Sequence, residues 1–192
     1  DEDFFISIGG WERLNETSTA TLSRFHSTYP LRQGMPLQDF RGQLKLKTAA
    51  FAAISASLIA NEAVSIDDAI VRLPSHAPSL SVDQDAQASE YLALISGDRF
   101  SPSTERPLEI ELLQFLAERG DVVRISGDIV YPTDAYDEMQ SKIVGSGADG
   151  QEITITSVRE MFGTSRKYTL AVLEYMDSKG LTRRVGDTRF VR

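Results

Sequence analysis

The 192-residue sequence predicts a mainly α chain with small β-hairpins, an α+β class arranged as tandem units. Two observations carry this. Paired short apolar runs around a turn signal occur three times, offset by 58 residues (Val64 to Val122) and then by 60 (Gly120 to Gly180). Each pair follows segments whose apolar residues recur at helical spacing. Composition agrees: 41% hydrophobic and 25% charged residues suit a folded chain, and the absence of cysteine excludes a disulfide scaffold or a thiolate zinc site.

The elements follow in order. Phe4 to Ser7 reads as the last strand of a preceding hairpin, so residues 1–9 are expected to be a remnant of an earlier unit and the chain a fragment of a longer protein. The first full unit, 10–78, opens with a helix carrying Trp11, Leu14, Leu22 and Phe25, which stops at Tyr29-Pro30 because the residue before proline disfavours the helical region. Pro36 suits the first position of a second helix bearing Leu37, Phe40 and Leu44. After a turn at 45–47 comes a third helix with Phe51, Ile54 and Leu58, then a hairpin around Asp67-Asp68.

The second unit, 79–132, has a first helix ending in Leu92 and Ile95. Its stretch 100–107 holds two prolines and leaves little room for a second helix; a helix with Glu109, Glu111, Glu118 and Arg119 and a hairpin around Ser126-Gly127-Asp128 follow. In the third unit, 133–192, Tyr136, Met139 and Ile143 share a helix face, and a Gly-rich connection at 145–150 leads to a short extended run at 153–155. Val158, Met161 and Phe162 form the next helix, which Gly163 ends. Ser165 can cap a last helix carrying Leu170, Leu173 and Met176, and a hairpin around Gly186-Asp187 closes the chain. Three helices, the last two joined by a tight turn, followed by a hairpin make a winged helix. The second unit is then a degenerate copy, and 74–81 and 131–133 are the joints.

The formal net charge of -8 argues against a nucleic-acid partner, but it is unevenly spread. Residues 156–192 carry eight basic and four acidic side chains, a net +4, which leaves -12 on the rest. The third helix of the first unit has no basic residue, and that of the second is acidic, so neither can neutralise phosphates. In the third unit Gly163-Thr164-Ser165-Arg166-Lys167-Tyr168 puts two hydroxyls and two cations at a helix start. The free amides and dipole there favour an anion, while cations cost helix stability, an arrangement that suits a phosphate. A solvated basic turn is the competing reading. With a two-residue turn at Gly186-Asp187, Arg184 faces Arg189 and Arg183 faces Phe190. Facing like charges repel, and a polyanion lying across them would relieve the repulsion.

Other chemistries find little support. His26 and His76 lie far apart in sequence without cysteine partners and read as structural or solvated. There is no phosphate-binding loop of the Gly-x-x-x-x-Gly-Lys-Ser/Thr kind, Glu109 and Glu111 diverge on a helix, and Asp83-Gln84-Asp85 lacks the glycine and distal glutamate of a calcium loop. No catalytic residue, metal site or enzyme activity is expected. The apolar stretch 48–61 is too short to cross a bilayer and no signal-peptide pattern opens the chain, so a cytoplasmic monomer without a membrane partner is expected.

The run 163–168, continued by Leu173-Glu174-Tyr175-Met176-Asp177 and Thr182-Arg183-Arg184-Val185-Gly186-Asp187, resembles the last winged helix of the bacterial selenocysteine-specific elongation factors, the SelB family. Tyr29-Pro30-Leu31-Arg32-Gln33-Gly34-Met35-Pro36 is similar to a motif in an earlier winged helix of that family. The resemblance implies a C-terminal fragment that binds the SECIS hairpin of selenoprotein mRNA, so that a UGA codon is read as selenocysteine, with the ribosome as a further partner. It implies that GTP belongs to an N-terminal GTPase domain absent from this chain, with no cofactor here. The implied RNA contacts are Arg166, Lys167, Arg183, Arg184 and Arg189, with Thr164 and Ser165 as hydroxyl donors and Tyr168 as a contact or packing residue.

Since A-form RNA has a deep, narrow major groove, contacts from the helix start are expected on the backbone and minor groove, with specificity from an exposed loop or bulged base. Five cations on phosphates predict a salt slope of roughly -3.5 to -4.5. Two other classes stay open: a winged-helix DNA-binding transcription regulator, and a protein-interaction array whose acidic units dock on a partner.

Overall fold

The computed structural model describes residues 5–192, which divide into two compact units at Leu80/Ser81. The first contains helix α1 (Ile8–Thr28), strand β1 (Met35–Pro36), helices α2 (Leu37–Leu44) and α3 (Thr48–Ala60), and strands β2 (Ser65–Asp67) and β3 (Ile70–Arg72). The strands form one antiparallel sheet in the order β1-β3-β2, with Met35 opposite Val71 and Ser65 opposite Arg72. Leu22, Phe40, Leu58 and Val71 are fully buried and join the three helices to the sheet, with Trp11, Leu14 and Phe25 packed at the margin. This is a winged helix.

Three expectations for this unit change. Residues 5–7 form no strand: Phe5 is 96% exposed, and Ser7 caps α1 by accepting from the Gly10 amide at 3.1 Å. Phe4, at the start of the expected strand, lies outside the described residues. Pro36 is the N-cap of α2, not its first helical residue, because it pairs with Ile70 while Leu37 N–H donates to the Ala69 carbonyl at 2.8 Å. The first hairpin turns one residue later than expected, at Asp68 and Ala69, since Asp68 takes the left-handed conformation at φ 52° that a short acidic side chain tolerates.

The second unit holds α4 (Val82–Ser96), α5 (Ile110–Arg119), the hairpin β4 (Val122–Ser126) and β5 (Ile129–Pro132), then α6 (Thr133–Ser146), β6 (Ile153–Thr154), α7 (Ile155–Phe162), α8 (Arg166–Ser178), β7 (Thr182–Val185) and β8 (Thr188–Val191). No helix forms between Ser96 and Ile110, so the degenerate copy has two helices and a two-stranded sheet. The last copy repeats the first, with an antiparallel sheet in the order β6-β8-β7. The two copies are not separate bodies. One core contains Ile125, Ile129 and Tyr131 from the hairpin together with Met139, Ile143, Val158, Val172, Leu173 and Met176. The expected joint at 131–133 is therefore inside this core: Tyr131 is fully buried and Thr133 N–H donates to the Asp121 carbonyl at 3.1 Å.

Candidate nucleic-acid interface

The residues expected to contact RNA lie on α8, on the turn that joins it to α7, and on the β7–β8 wing. Gly163 ends α7 in the left-handed conformation at φ 61°, where a side chain would be strained, and thereby turns the chain into α8 within three residues. Ser165 is the N-cap of α8, but its hydroxyl makes no capping bond, and no acidic side chain lies in the first turn. Ser165, Arg166 and Lys167 are exposed, and the Lys167 ammonium lies 5.4 Å from the centre of the Tyr168 ring. The helix start thus offers unsatisfied amides, a free hydroxyl and two solvated cations at its positive end.

Thr164 and Tyr168, expected in the same contact set, face inward. Thr164 is buried and donates its hydroxyl to the Phe100 carbonyl at 2.7 Å, with Ser101 Oγ at 2.9 Å. Tyr168 is half-buried against the core and donates to the Pro102 carbonyl at 2.9 Å. Both props come from the stretch where the degenerate copy lacks its helix. They hold the α7–α8 turn in place, leaving neither hydroxyl proton for an outside acceptor.

The wing has the expected register: Val185 opposite Thr188, Arg184 opposite Arg189, Arg183 opposite Phe190. The two facing arginines differ in environment. Arg183 and Arg184 are exposed, and Arg184 Nε donates to the Gly186 carbonyl at 2.9 Å. Arg189 is only 1% exposed, and its Nε donates to Asp177 Oδ2 at 2.8 Å. A polyanion is thus not needed to separate the pair, because Asp177 already neutralises one member. The other Asp177 oxygen accepts from the Thr182 hydroxyl at 2.6 Å.

Between α8, the start of α7 and the wing lies an open cleft of about 470 Å³ whose lining includes Arg166, Arg184, Arg189, Thr156, Glu174 and Asp187. Sequence reasoning missed Asp177, Thr182, Glu174 and Thr156. Glu174 was accessible to it, because Arg166, Leu170 and Glu174 are spaced by four and share one helix face. His26 and His76 lie in the first unit, stacked on one another with ring centres 3.5 Å apart. Among the described residues no group of three or more His, Cys, Asp or Glu side chains is arranged to hold a metal, and no helix is long and apolar enough to cross a membrane.

Two family models, both described as elongation factor SelB, winged helix, match residues 19–73 and 148–191, together more than half of the chain. The chain belongs to the SelB winged-helix family. A selenocysteine-specific elongation factor from Desulfomicrobium baculatum is 25% identical over 206 residues, covering all of this chain and 32% of that protein. The chain therefore spans about a third of the length of this SelB relative. Among solved structures, bacterial selenocysteine-specific elongation factor EF-Sec matches 97% of the chain and 32% of its own length at a TM-score of 0.51 and 17% identity, a likeness of fold. The mRNA-binding domain of elongation factor SelB from E. coli, solved in complex with SECIS RNA, matches 59% of this chain and 99% of its own length at 23% identity and a TM-score of 0.46.

Proposed function

We propose that this SelB-family chain binds an mRNA hairpin of the SECIS kind and so tethers a selenocysteine-specific elongation factor, in the cytoplasm, to the message it decodes. The observation that carries the proposal is the grouping of exposed Ser165, Arg166 and Lys167 at the start of α8 with Arg183 and Arg184 on the wing, in a SelB winged helix. The chain's own role is binding rather than catalysis, and it takes no cofactor; GTP chemistry belongs to another part of the factor. The ribosome is a further partner in this reading, and the chain acts as a monomer. RNA lies with its backbone and minor groove across Arg166, Lys167 and the wing, and an unpaired base is the element that can enter the cleft, since the deep, narrow major groove of an A-form helix is closed to side chains. The net charge of -12 outside residues 156–192 repels RNA and confines binding to the basic end.

With Arg189 buried, four exposed cations remain in the set, which lowers the expected salt slope to roughly -2.8 to -3.6. The test compares an mRNA hairpin carrying a looped-out base with duplex DNA of equal length over a salt series. Tighter hairpin binding with that slope supports the proposal; tighter DNA binding, or a slope near zero, refutes it. Arg166→Ala is expected to weaken hairpin binding by about 1–3 kcal/mol.

A further inference from the structure

Arg184 and Arg189 are direct cross-strand partners, so the wing sets two arginine side chains on one face of the hairpin, yet one is exposed and the other is among the most deeply buried side chains. Asp177, in the last turn of α8, accounts for the difference. Its Oδ2 accepts from Arg189 on β8 at 2.8 Å and its Oδ1 accepts from the fully buried Thr182 on β7 at 2.6 Å. A single carboxylate therefore ties both wing strands to the recognition helix and cancels the charge of the inner arginine. Among the described residues Arg189 Nη2 has no hydrogen-bond partner, and Asp177 is the carboxylate that pairs with this buried cation. Arg184, spared a charged neighbour, closes onto the Gly186 carbonyl and lines the cleft shared with Arg166.

Building on the RNA-binding reading, we infer that Asp177 is a positioning residue for the nucleic-acid interface: through Arg189 and Thr182 it sets the wing so that Arg184 stands beside Arg166. Asp177 itself touches no RNA. Without it, Arg189 is an uncompensated buried cation facing Arg184, and the repulsion displaces the hairpin or the side chain. The consequence runs against simple electrostatics. Removing a negative charge near a polyanion site should strengthen binding, whereas loss of a positioning carboxylate weakens it.

The experiment uses the full chain, a hairpin with a looped-out base, and the variants Asp177→Asn, Arg184→Ala and their double. Asp177→Asn is expected to weaken hairpin binding about tenfold, as loss of one specific contact does. It should also flatten the salt slope by about 0.7–0.9, the share of one cation, although it removes none. Arg184→Ala should do the same, and the double variant should bind no more weakly than Arg184→Ala alone. Binding by Asp177→Asn that is unchanged or tighter overturns the inference, as does a loss that adds in full to that of Arg184→Ala. If Asp177→Asn fails to fold, Thr182→Val removes one of the two carboxylate bonds without changing charge, and is expected to give a smaller loss in the same direction; unaltered binding overturns the inference. Hydrogen exchange of the β7 and β8 amides, read without RNA, should rise in Asp177→Asn, and unchanged protection counts against it. Absence of binding by the parent chain defeats the RNA reading instead, and the exchange measurement still decides whether Asp177 fixes the wing.

Discussion

His26 lies near the end of α1 with its ring buried, where Nε2 accepts from the Leu73 amide at 3.2 Å and His76 stacks on its face. Burial first, then the nearby His76 and Arg72, lower its pKa from 6.5 to about 4. A protonated ring cannot accept from Leu73 at that nitrogen, so the native first unit takes up this proton only near pH 4, while the unfolded chain takes it up near pH 6.5. Across that window the unfolded state binds more protons, and stability falls as the pH falls. His26→Gln should therefore flatten the loss of urea resistance on acidification from about pH 7 to pH 4 relative to the parent; parallel profiles would remove His26 as a cause. At this scale the sequence was partly legible. The Arg184–Arg189 register follows from a two-residue turn, but the different environments of the pair depend on Asp177, and that partner is set by packing. Thr164 and Tyr168 looked like surface donors because their acceptors, the Phe100 and Pro102 carbonyls, lie 64 and 66 residues away. Local pattern carries no information about such a distance.

Among the elements, the helices and hairpins were legible because their signals are local: apolar spacing, and glycine or aspartate where the chain needs a positive φ. What spacing could not supply is how a two-residue strand such as β1 joins a sheet. Gly34 precedes it, and a Cβ there would sit 2.5 Å from the Val71 carbonyl oxygen and 2.5 Å from Ile70 Cγ2. Backbone cannot yield as a flexible side chain does, so Gly34→Ala must push β1 away from β3 or shift the wing of the first unit. The expected cost is about 1–3 kcal/mol, in the range of overpacked sites. Thermal denaturation checks it, with Gly42→Ala as control because that site is open and helical. An unaffected melting temperature for Gly34→Ala would mean that β1 is not held by this close approach. Gly163 poses a different problem, since its surroundings are open and only its φ of 61° resists a side chain. Gly163→Ala should lose about 1–2 kcal/mol through backbone conformation alone.

At the scale of the whole molecule, repeat spacing located the copies but misjudged their independence, because periodicity reveals where a motif recurs and not whether neighbouring motifs share a core. The stretch 97–109, short of a helix, supplies the support that the last winged helix lacks by itself. The Phe100 carbonyl accepts from both Tyr131 and Thr164, at 3.2 and 2.7 Å, and the Phe100 ring packs on Phe162 with centres 4.9 Å apart. Cutting at 132/133 would take Ile125, Ile129 and Tyr131 out of the core and unbind the turn that presents Arg166 and Lys167. Losing one large apolar side chain from a core costs about 2–5 kcal/mol, against a total domain stability of about 5–15 kcal/mol. Three such losses, about 6–15 kcal/mol, are as large as the whole stability of a domain and leave a 60-residue remnant marginal. Residues 81–192 are therefore expected to melt cooperatively and to bind the hairpin as the full chain does, whereas residues 133–192 should melt broadly and bind it more weakly. A sharp, unshifted melt and undiminished hairpin affinity for 133–192 would show that the last winged helix stands alone and that the degenerate copy is a spacer rather than its foundation.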